Sequence, residues 1–339
     1  MRIILDGMGG DNAPYEIVKG AVEASKEIDE TIVIVGQEDK ILSELSKYQY
    51  DTSKIEIMNA TEVIENEDSP VRSVRRKKDS SMVVGLNEVK SGNGDIFISA
   101  GNTGALMAGS LFNLGRIQGI DRPALAAIYP VLGKEPLLLL DAGANSECKA
   151  NNLLEFGIMG SIYMDKVLGR KNPKVGLVNL GVEANKGTTL TKMAYELLEK
   201  STCNFTGNVE AREVPNGICD VVVCDGFVGN VIIKLSEGLG LSISKLLKNK
   251  LLDGFKAKIG AILLVDKLKS IKKDFDYTEY GGAPILGVKG PVIKMHGSSN
   301  AKAVKNSIIK AVPFAKEGVV DIISEAVLEM EELLISDEV

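Results

Sequence analysis

The chain has 339 residues, room for one large α/β domain or two smaller ones. It is 45% hydrophobic, enough for a sizeable core, and its net charge of −6 argues against general nucleic-acid binding. The first residues read as a strand rather than a charged segment followed by an apolar one, so no secretory leader is expected, and no apolar run approaches the roughly 20 residues of a membrane span.

In chain order, apolar runs predict strands over 3–5, 31–35, 54–57, 96–99, 124–129, 137–140, 175–180, 221–224 and 292–294. Helical spacing predicts helices over 15–26, 40–47, 82–89, 103–114, 153–167, 189–198, 228–250, 301–311 and 319–334. The alternation implies an α/β fold: a parallel, doubly wound sheet with helices on both faces, three layers in all, carried by 1–339 as a single domain. Cys148, Cys203, Cys219 and Cys224 lack zinc-type spacing, and with the single histidine, His296, no Cys/His cluster is possible. The cysteines therefore read as small core hydrophobes in a reduced compartment, and neither metal nor cofactor is expected.

The ends of the strands carry the chemistry. The first strand runs into Asp6-Gly-Met-Gly-Gly-Asp-Asn-Ala-Pro14. Gly9 and Gly10 let the backbone approach a ligand, while Asp6, Asp11 and Asn12 supply polar groups. The strand at 96–99 ends in Ser99-Ala-Gly-Asn-Thr-Gly104, placing Asn102, Thr103 and Gly104 at a helix start. The same logic recurs with Asp141 and Asn145, then with Glu183, Asn185 and Lys186, then Asn208, then Asp225 and Asn230. One such turn is ordinary; a set of them converging on a crevice suits a phosphate or phosphate-bearing substrate. No dinucleotide fingerprint follows a strand, the order Lys186-Gly-Thr188 is not that of a P-loop, and no nucleophile elbow is present.

Charge is unevenly spread. Arg72, Arg75, Arg76, Lys77 and Lys78 form one basic cluster. Residues 244–273 hold nine lysines against Asp253 and Asp266. Within this basic amphipathic segment (239–273), Ile243, Leu247, Leu251, Phe255, Ile259 and Leu263 recur every fourth residue on one helical face. Such a face serves membrane binding, dimer packing or both.

The stretches D-G-M-G-G-D-N-A-P (6–14), S-A-G-N-T-G-A-L-M-A (99–108), D-A-G-A-N (141–145), N-L-G-V-E-A-N-K-G (179–187), G-N-V-E (207–210), D-G-F-V-G-N (225–230) and Y-G-G-A-P-I-L-G (280–287) resemble, in order and over nearly the whole chain, the bacterial phosphate acyltransferases of the PlsX type. The resemblance implies a fold similar to the phosphotransacetylases and the isocitrate/isopropylmalate dehydrogenases. It implies conversion of acyl-[acyl carrier protein] and inorganic phosphate to acyl phosphate and free carrier protein. That product feeds the first acylation of glycerol 3-phosphate in phospholipid synthesis, linking the chain to the glycerol 3-phosphate acyltransferase. It further implies a homodimer in the cytoplasm, peripherally associated with the inner face of the membrane.

Lys186 is the leading candidate for binding phosphate or steadying the oxyanion, and Asn230 suits an amide donor to phosphate or carbonyl, or else a helix cap after Gly229. His296 suits a general acid for the departing thiol, or simply a loop histidine beside the caps Ser298 and Ser299. The basic cluster at 72–78 would steer the acidic carrier protein. Two other readings share these features: a phosphotransacetylase acting on coenzyme A thioesters, and a non-catalytic membrane-recruited scaffold for lipid synthesis. A dehydrogenase is opposed by the missing dinucleotide fingerprint.

Overall fold

The computed structural model describes residues 1–251 and 281–336, with Gly254, Gly260, Leu263, Leu264, Asp266 and Lys267 between them. Its strands are β1 (Arg2–Asp6), β2 (Thr31–Gly36), β3 (Ile55–Asn59), β4 (Ile96–Ser99), β5 (Ala124–Leu125), β6 (Ala127–Tyr129), β7 (Leu137–Leu140), β8 (Lys174–Asn179), β9 (Asn204–Glu210), β10 (Val221–Val223), β11 (Ala283–Leu286) and β12 (Val292–Lys294). The helices are α1 (Tyr15–Ser25), α2 (Glu38–Leu45), α3 (Pro70–Arg76), α4 (Ser81–Lys90), α5 (Thr103–Gly109), α6 (Ala150–Lys166), α7 (Thr189–Glu199), α8 (Gly226–Leu251), α9 (Ala301–Lys316) and α10 (Val319–Ser336).

The α/β class and the parallel pairing hold, but the strands divide between two sheets rather than one. The larger has the order β3-β2-β1-β4-β12-β11-β5, the smaller β6-β7-β10-β8-β9. Pairing is parallel except for β11 with β12, β11 with β5, and β6 with β7. The division falls inside the run expected as one strand at 124–129. There β5 pairs with β11 and β6 pairs with β7, with only Ala126 between them. A bend at one small buried residue lets one extended run serve two sheets.

Strand alternation sorts the core into layers. Ile3 and Leu5 on β1 share one apolar cluster with Leu138 and Leu140 on β7, beneath α1, α6, α9 and α10. Ile4 and Phe97 face the opposite side of the larger sheet, against α4 and α5. Leu139 and Val222 face the opposite side of the smaller sheet, where Val228, Ile232 and Ile233 of α8 cover them. One continuous apolar layer thus lies under both sheets, and each sheet carries helices on both faces.

Three elements escaped the sequence reading. Strand β9 holds no apolar run and shifts register against β8 between Val175 and Leu177. Strand β11 is short and contains Pro284. Helix α3, Pro-Val-Arg-Ser-Val-Arg-Arg, buries only Ser73 and Val74 and so has little periodicity to read. The helix expected over 103–114 is α5 followed by a π turn at Ser110–Leu114. Helix α8 is long and apolar enough to cross a membrane by length and composition, which the sequence reading did not anticipate. Its first turns pack on the smaller sheet instead.

Phe97 is fully buried at the centre of the larger sheet, opposite Ile4 on β1 and Val292 on β12. Truncation to Ala should cost about 3–5 kcal/mol. The urea midpoint should fall with the m-value unchanged; a midpoint within error of wild type would contradict this placement of the core.

Candidate active site

The carboxyl ends of β1, β4 and β12 lie side by side in the larger sheet. Each strand ends on a buried polar residue: Asp6, Ser99 and Lys294. Ser99 Oγ donates to Asp6 Oδ2 at 2.6 Å and accepts from the Gly101 amide at 3.0 Å. Asp6 Oδ1 accepts from the Met8 amide at 3.1 Å. The opening loop then folds over the turn after β12. Gly10 takes φ +98°, where a side chain would meet Ala100 and the Gly297 carbonyl. The Asp11 amide donates to Gly297 O at 2.8 Å, and Asn12 Nδ2 to the carbonyls of Ser298 and Ser299, each at 3.3 Å. Gly9 packs directly on the Asp6 carboxylate.

Asn102 caps α5, its Oδ1 accepting from the Ala105 amide at 2.9 Å and its Nδ2 donating to Asn66 O at 2.9 Å. Asn66 in turn donates to Asp11 at 3.0 Å, joining the two loops. Thr103 and Gly104 are exposed on the first turn of α5. His296 is exposed, and its Nδ1 accepts from the Ser298 amide at 3.2 Å. The neutral ring therefore carries its proton on Nε2.

A second group sits at the ends of β7 and β10 in the smaller sheet. Asp141 is completely buried, and five N–H groups surround it. Oδ1 accepts from the amides of Leu125, Gly143 and Ala144 at 3.0–3.2 Å, and Oδ2 accepts from the amide and side chain of Asn145 at 2.6 and 2.9 Å. Burial still outweighs these donors and raises its pKa. Asn145 also donates to Pro123 O at 2.8 Å. Asp225 caps α8 through the Val228 amide at 2.9 Å. Gly229 passes so close to Asp141 O that any Cβ would lie 1.9 Å from it, which fixes the half-buried Asn230 against Gly143.

The third group is the loop after β8. Asn179 Nδ2 donates to Lys186 O and to Asn208 Oδ1, both at 3.1 Å, and Asn208 Nδ2 donates to Glu183 O at 2.9 Å. This leaves Asn185 and Lys186 exposed on a braced turn, with Thr188 capping α7.

The expected residues thus assemble at strand ends as three groups, each bonded internally. Asp6, Asp141 and Asn208 brace loops, while Lys186, Asn185, Thr103, Gly104 and His296 face outward. Arg72, Arg75, Arg76 and Lys78 are exposed on and just after α3, whose Pro70 lies against Gly104. Arg75 stacks on Phe112, 4.8 Å from the ring centroid. Lys77 does not join that basic face, a correction to the sequence reading: it turns inward to Val63 O and to Asp68, at 2.7 and 2.6 Å. On the apolar face of α8, Leu247 is exposed and Leu251 half-buried; Phe255 and Ile259 lie outside the described residues.

Sequence reasoning missed Lys294, Ser99 as a bonded partner, Asn66 and Asn179. A lysine closing a buried Val-Ile-Lys strand was the available signal for Lys294. Its Nζ donates to the carbonyls of Ala100, at 3.3 Å, and Met295. Burial pushes its pKa down to about 8, against the opposing pull of Asp6 and Asp11.

The α/β fold is that of the phosphotransacetylases. Solved phosphotransacetylases from Streptococcus pyogenes (17% identity, TM-score 0.65, 94% of each chain) and Staphylococcus aureus (19%, 0.62, 93% of this chain and 94% of that) share it. A 4-hydroxythreonine-4-phosphate dehydrogenase from Klebsiella pneumoniae is more distant (12%, 0.51, 93% of this chain and 97% of that). The profile of the family described as fatty acid synthesis protein matches residues 1–322. The chain is 59% identical to a phosphate acyltransferase of Alkaliphilus oremlandii, over 96% of this chain and 97% of the relative. It is 52% identical to that of Clostridioides difficile, over 98% of each. The chain belongs to the phosphate acyltransferase family, a family of enzymes.

Lys294 has a pH signature. Its pKa is about 8 folded against an ordinary 10.5, so between these values the unfolded chain binds more protons. Its contribution therefore makes stability rise as pH climbs through that window. Urea melts at pH about 7.5 and about 10 should show wild type gaining on Lys294→Met as pH rises; a gap independent of pH would contradict the burial of this charge.

Proposed function

We propose that the chain transfers the acyl group of an acyl-[acyl carrier protein] thioester to inorganic phosphate, giving acyl phosphate and free carrier protein for phospholipid synthesis. The observation that carries this reading is the division of charge at the strand ends. Asp6 and Asp141 are enclosed by their own loops, whereas Lys186 is exposed on a turn braced by Asn179 and Asn208. That division suits a doubly charged nucleophile. Lys186 holds phosphate as a point charge, and one phosphate oxygen attacks the thioester carbonyl. Asn230 donates to the oxyanion of the tetrahedral intermediate. Collapse breaks the C–S bond, and the leaving thiolate takes its proton from the imidazolium form of His296, which returns to the neutral ring.

Attack is direct, without an acyl-enzyme. Cys148, which donates to Asn145 O, is pushed up to about 11 by burial, and burial raises Cys203, Cys219 and Cys224 as well. A thiol so protonated at neutral pH is a poor nucleophile. Thr103 and Gly104 add donors at the mouth of the site. Arg72, Arg75, Arg76 and Lys78 on that rim would receive the acidic carrier protein. The exposed apolar residues of α8, among them Leu239, Ile243 and Leu247, with Lys245, Lys248 and Lys250 around them, suit association with an anionic membrane surface and packing of a homodimer. In this reading 1–339 works as one unit on the cytoplasmic face of the membrane, supplying the glycerol 3-phosphate acyltransferase. The shared phosphotransacetylase fold keeps one competitor in view, a coenzyme A thioester as acyl donor.

Phosphate-dependent thiol release should be much faster with acyl-[acyl carrier protein] than with acyl-CoA at equal concentration; the reverse preference favours the competitor. Lys186→Ala should lower kcat by on the order of 100- to 1,000-fold with folding intact. Intact mass after incubation with acyl-carrier protein alone should show no added acyl group, and an adduct discharged by phosphate would establish a covalent route instead. For the membrane, Leu247→Glu/Leu251→Glu should no longer sediment with anionic vesicles; undiminished sedimentation by a folded variant removes that claim.

A further inference from the structure

Strands β1, β4 and β12 run parallel as neighbours, and their last residues form a row across the sheet. Lys294 pairs with Ser99 in register, and Ser99 bonds to Asp6. The row is almost completely enclosed, Asp6 being 1% exposed, Ser99 0% and Lys294 8%. Asp6 and Asp11 favour the lysine charge through space. The direct partners of Nζ are the main-chain carbonyls of Ala100 and Met295. These residues lead straight into Gly101-Asn102 on one side and His296 on the other.

We propose that Lys294 is a positioning residue for acyl transfer, its ammonium clamping the Ala100 and Met295 carbonyls so that the turn bearing Asn102 and the ring of His296 keep one fixed relation. This rests on the reading of the site given under Proposed function. Stability alone does not account for the charge. A methionine fills a similar volume without the desolvation cost that lowers the Lys294 pKa to about 8. A charge-assisted bond, by contrast, holds each carbonyl more firmly than a neutral amine would. The charged groups facing Nζ among the described residues are Asp6 on β1 and Asp11 on the opening loop, with His296 two residues along the chain.

The test uses the full chain with acyl-[acyl carrier protein] and inorganic phosphate, comparing wild type, Lys294→Met and Lys294→Arg. Lys294→Met should lower kcat on the order of 100-fold, the cost of slightly misplaced groups. The KM for phosphate should stay within about threefold, since no substrate contact is removed. Lys294→Arg should recover most of the loss. The single histidine supplies a readout independent of turnover: in isotope-labelled protein, the His296 Cε1–H resonance should move in Lys294→Met and stay near its wild-type position in Lys294→Arg. An unreduced kcat or an unmoved resonance in folded Lys294→Met overturns the inference, as does a Lys294→Arg no better than Lys294→Met. A moved resonance in a protein whose wild type releases no thiol with phosphate overturns the functional reading instead and supports the clamp. Should Lys294→Met fail to fold, the wild-type pH profile beside that of Lys294→Arg decides. A fall in kcat near pH 8, as the ammonium is lost, that is absent from Lys294→Arg supports the clamp; a fall shared by Lys294→Arg, or a kcat flat from about pH 7 to about 9.5, overturns it.

Discussion

A buried parallel strand satisfies its backbone along its length, but at its carboxyl end the amides of the following turn leave the ladder with no water to receive them. Asp141 answers that constraint by accepting from four backbone amides and one side chain within five residues of sequence and the adjoining strand. Asp6 answers it in the other sheet with the Met8 amide and, through Ser99, the Gly101 amide. An unpaired buried N–H costs about 1–3 kcal/mol, so two carboxylates that gather these groups set the shape of the loops around them. The close glycines follow from the same crowding: Gly229 and Gly226 sit where any side chain would strike the Asp141 loop.

Enclosing the acids has an electrostatic consequence. Negative charge that is surrounded by N–H dipoles projects little toward a ligand, while Lys186 stands outward on its braced turn. Glu183 on that turn and Asp11 on the opening loop are exposed as well, so the positive charge open to phosphate is local to the Lys186 ammonium. The same separation operates on the rim. Asp68 draws Lys77 inward and its own pKa down, and the arginines of α3 are left facing solvent. Which basic residue is structural and which is available is decided by whether an acid stands within reach.

This is also where the sequence stops being legible. The run Ile96–Ser99 and the run Leu137–Leu140 match the strands residue for residue, because three or four apolar residues before a Gly-Asx turn admit few other readings. The polar turns at strand ends were legible for the same reason. Nothing local, however, distinguishes Lys77 from Lys78, since the difference is Asp68, nine residues away and folded back. For Lys294 the local signal is only a lysine closing an apolar strand; its partner Ala100 O lies 194 residues away. Strand β9 forms at an edge of the smaller sheet through pairing with β8, without an apolar pattern of its own. The bend at Ala126 is likewise set by pairing partners, β11 on one side and β7 on the other.

That bend bears on how the two sheets act together. The apolar layer beneath both sheets resists separation but is non-directional, so by itself it would tolerate sliding. Direction comes from hydrogen bonds between the end of the larger sheet and the Asp141 loop of the smaller. The Leu125 amide donates to Asp141 at 3.1 Å, Leu125 O accepts from the Ala142 amide at 2.8 Å, and Pro123 O accepts from Asn145 at 2.8 Å. Strand β5 therefore fixes the loop of one sheet against the edge of the other. A reaction between a thioester carbonyl and a phosphate depends on placement to within a fraction of an ångström, and packing alone does not deliver that. Asp141 is thus both the brace of its own loop and the joint between the sheets, which accounts for a carboxylate buried so deeply that its proton affinity rises despite five donors.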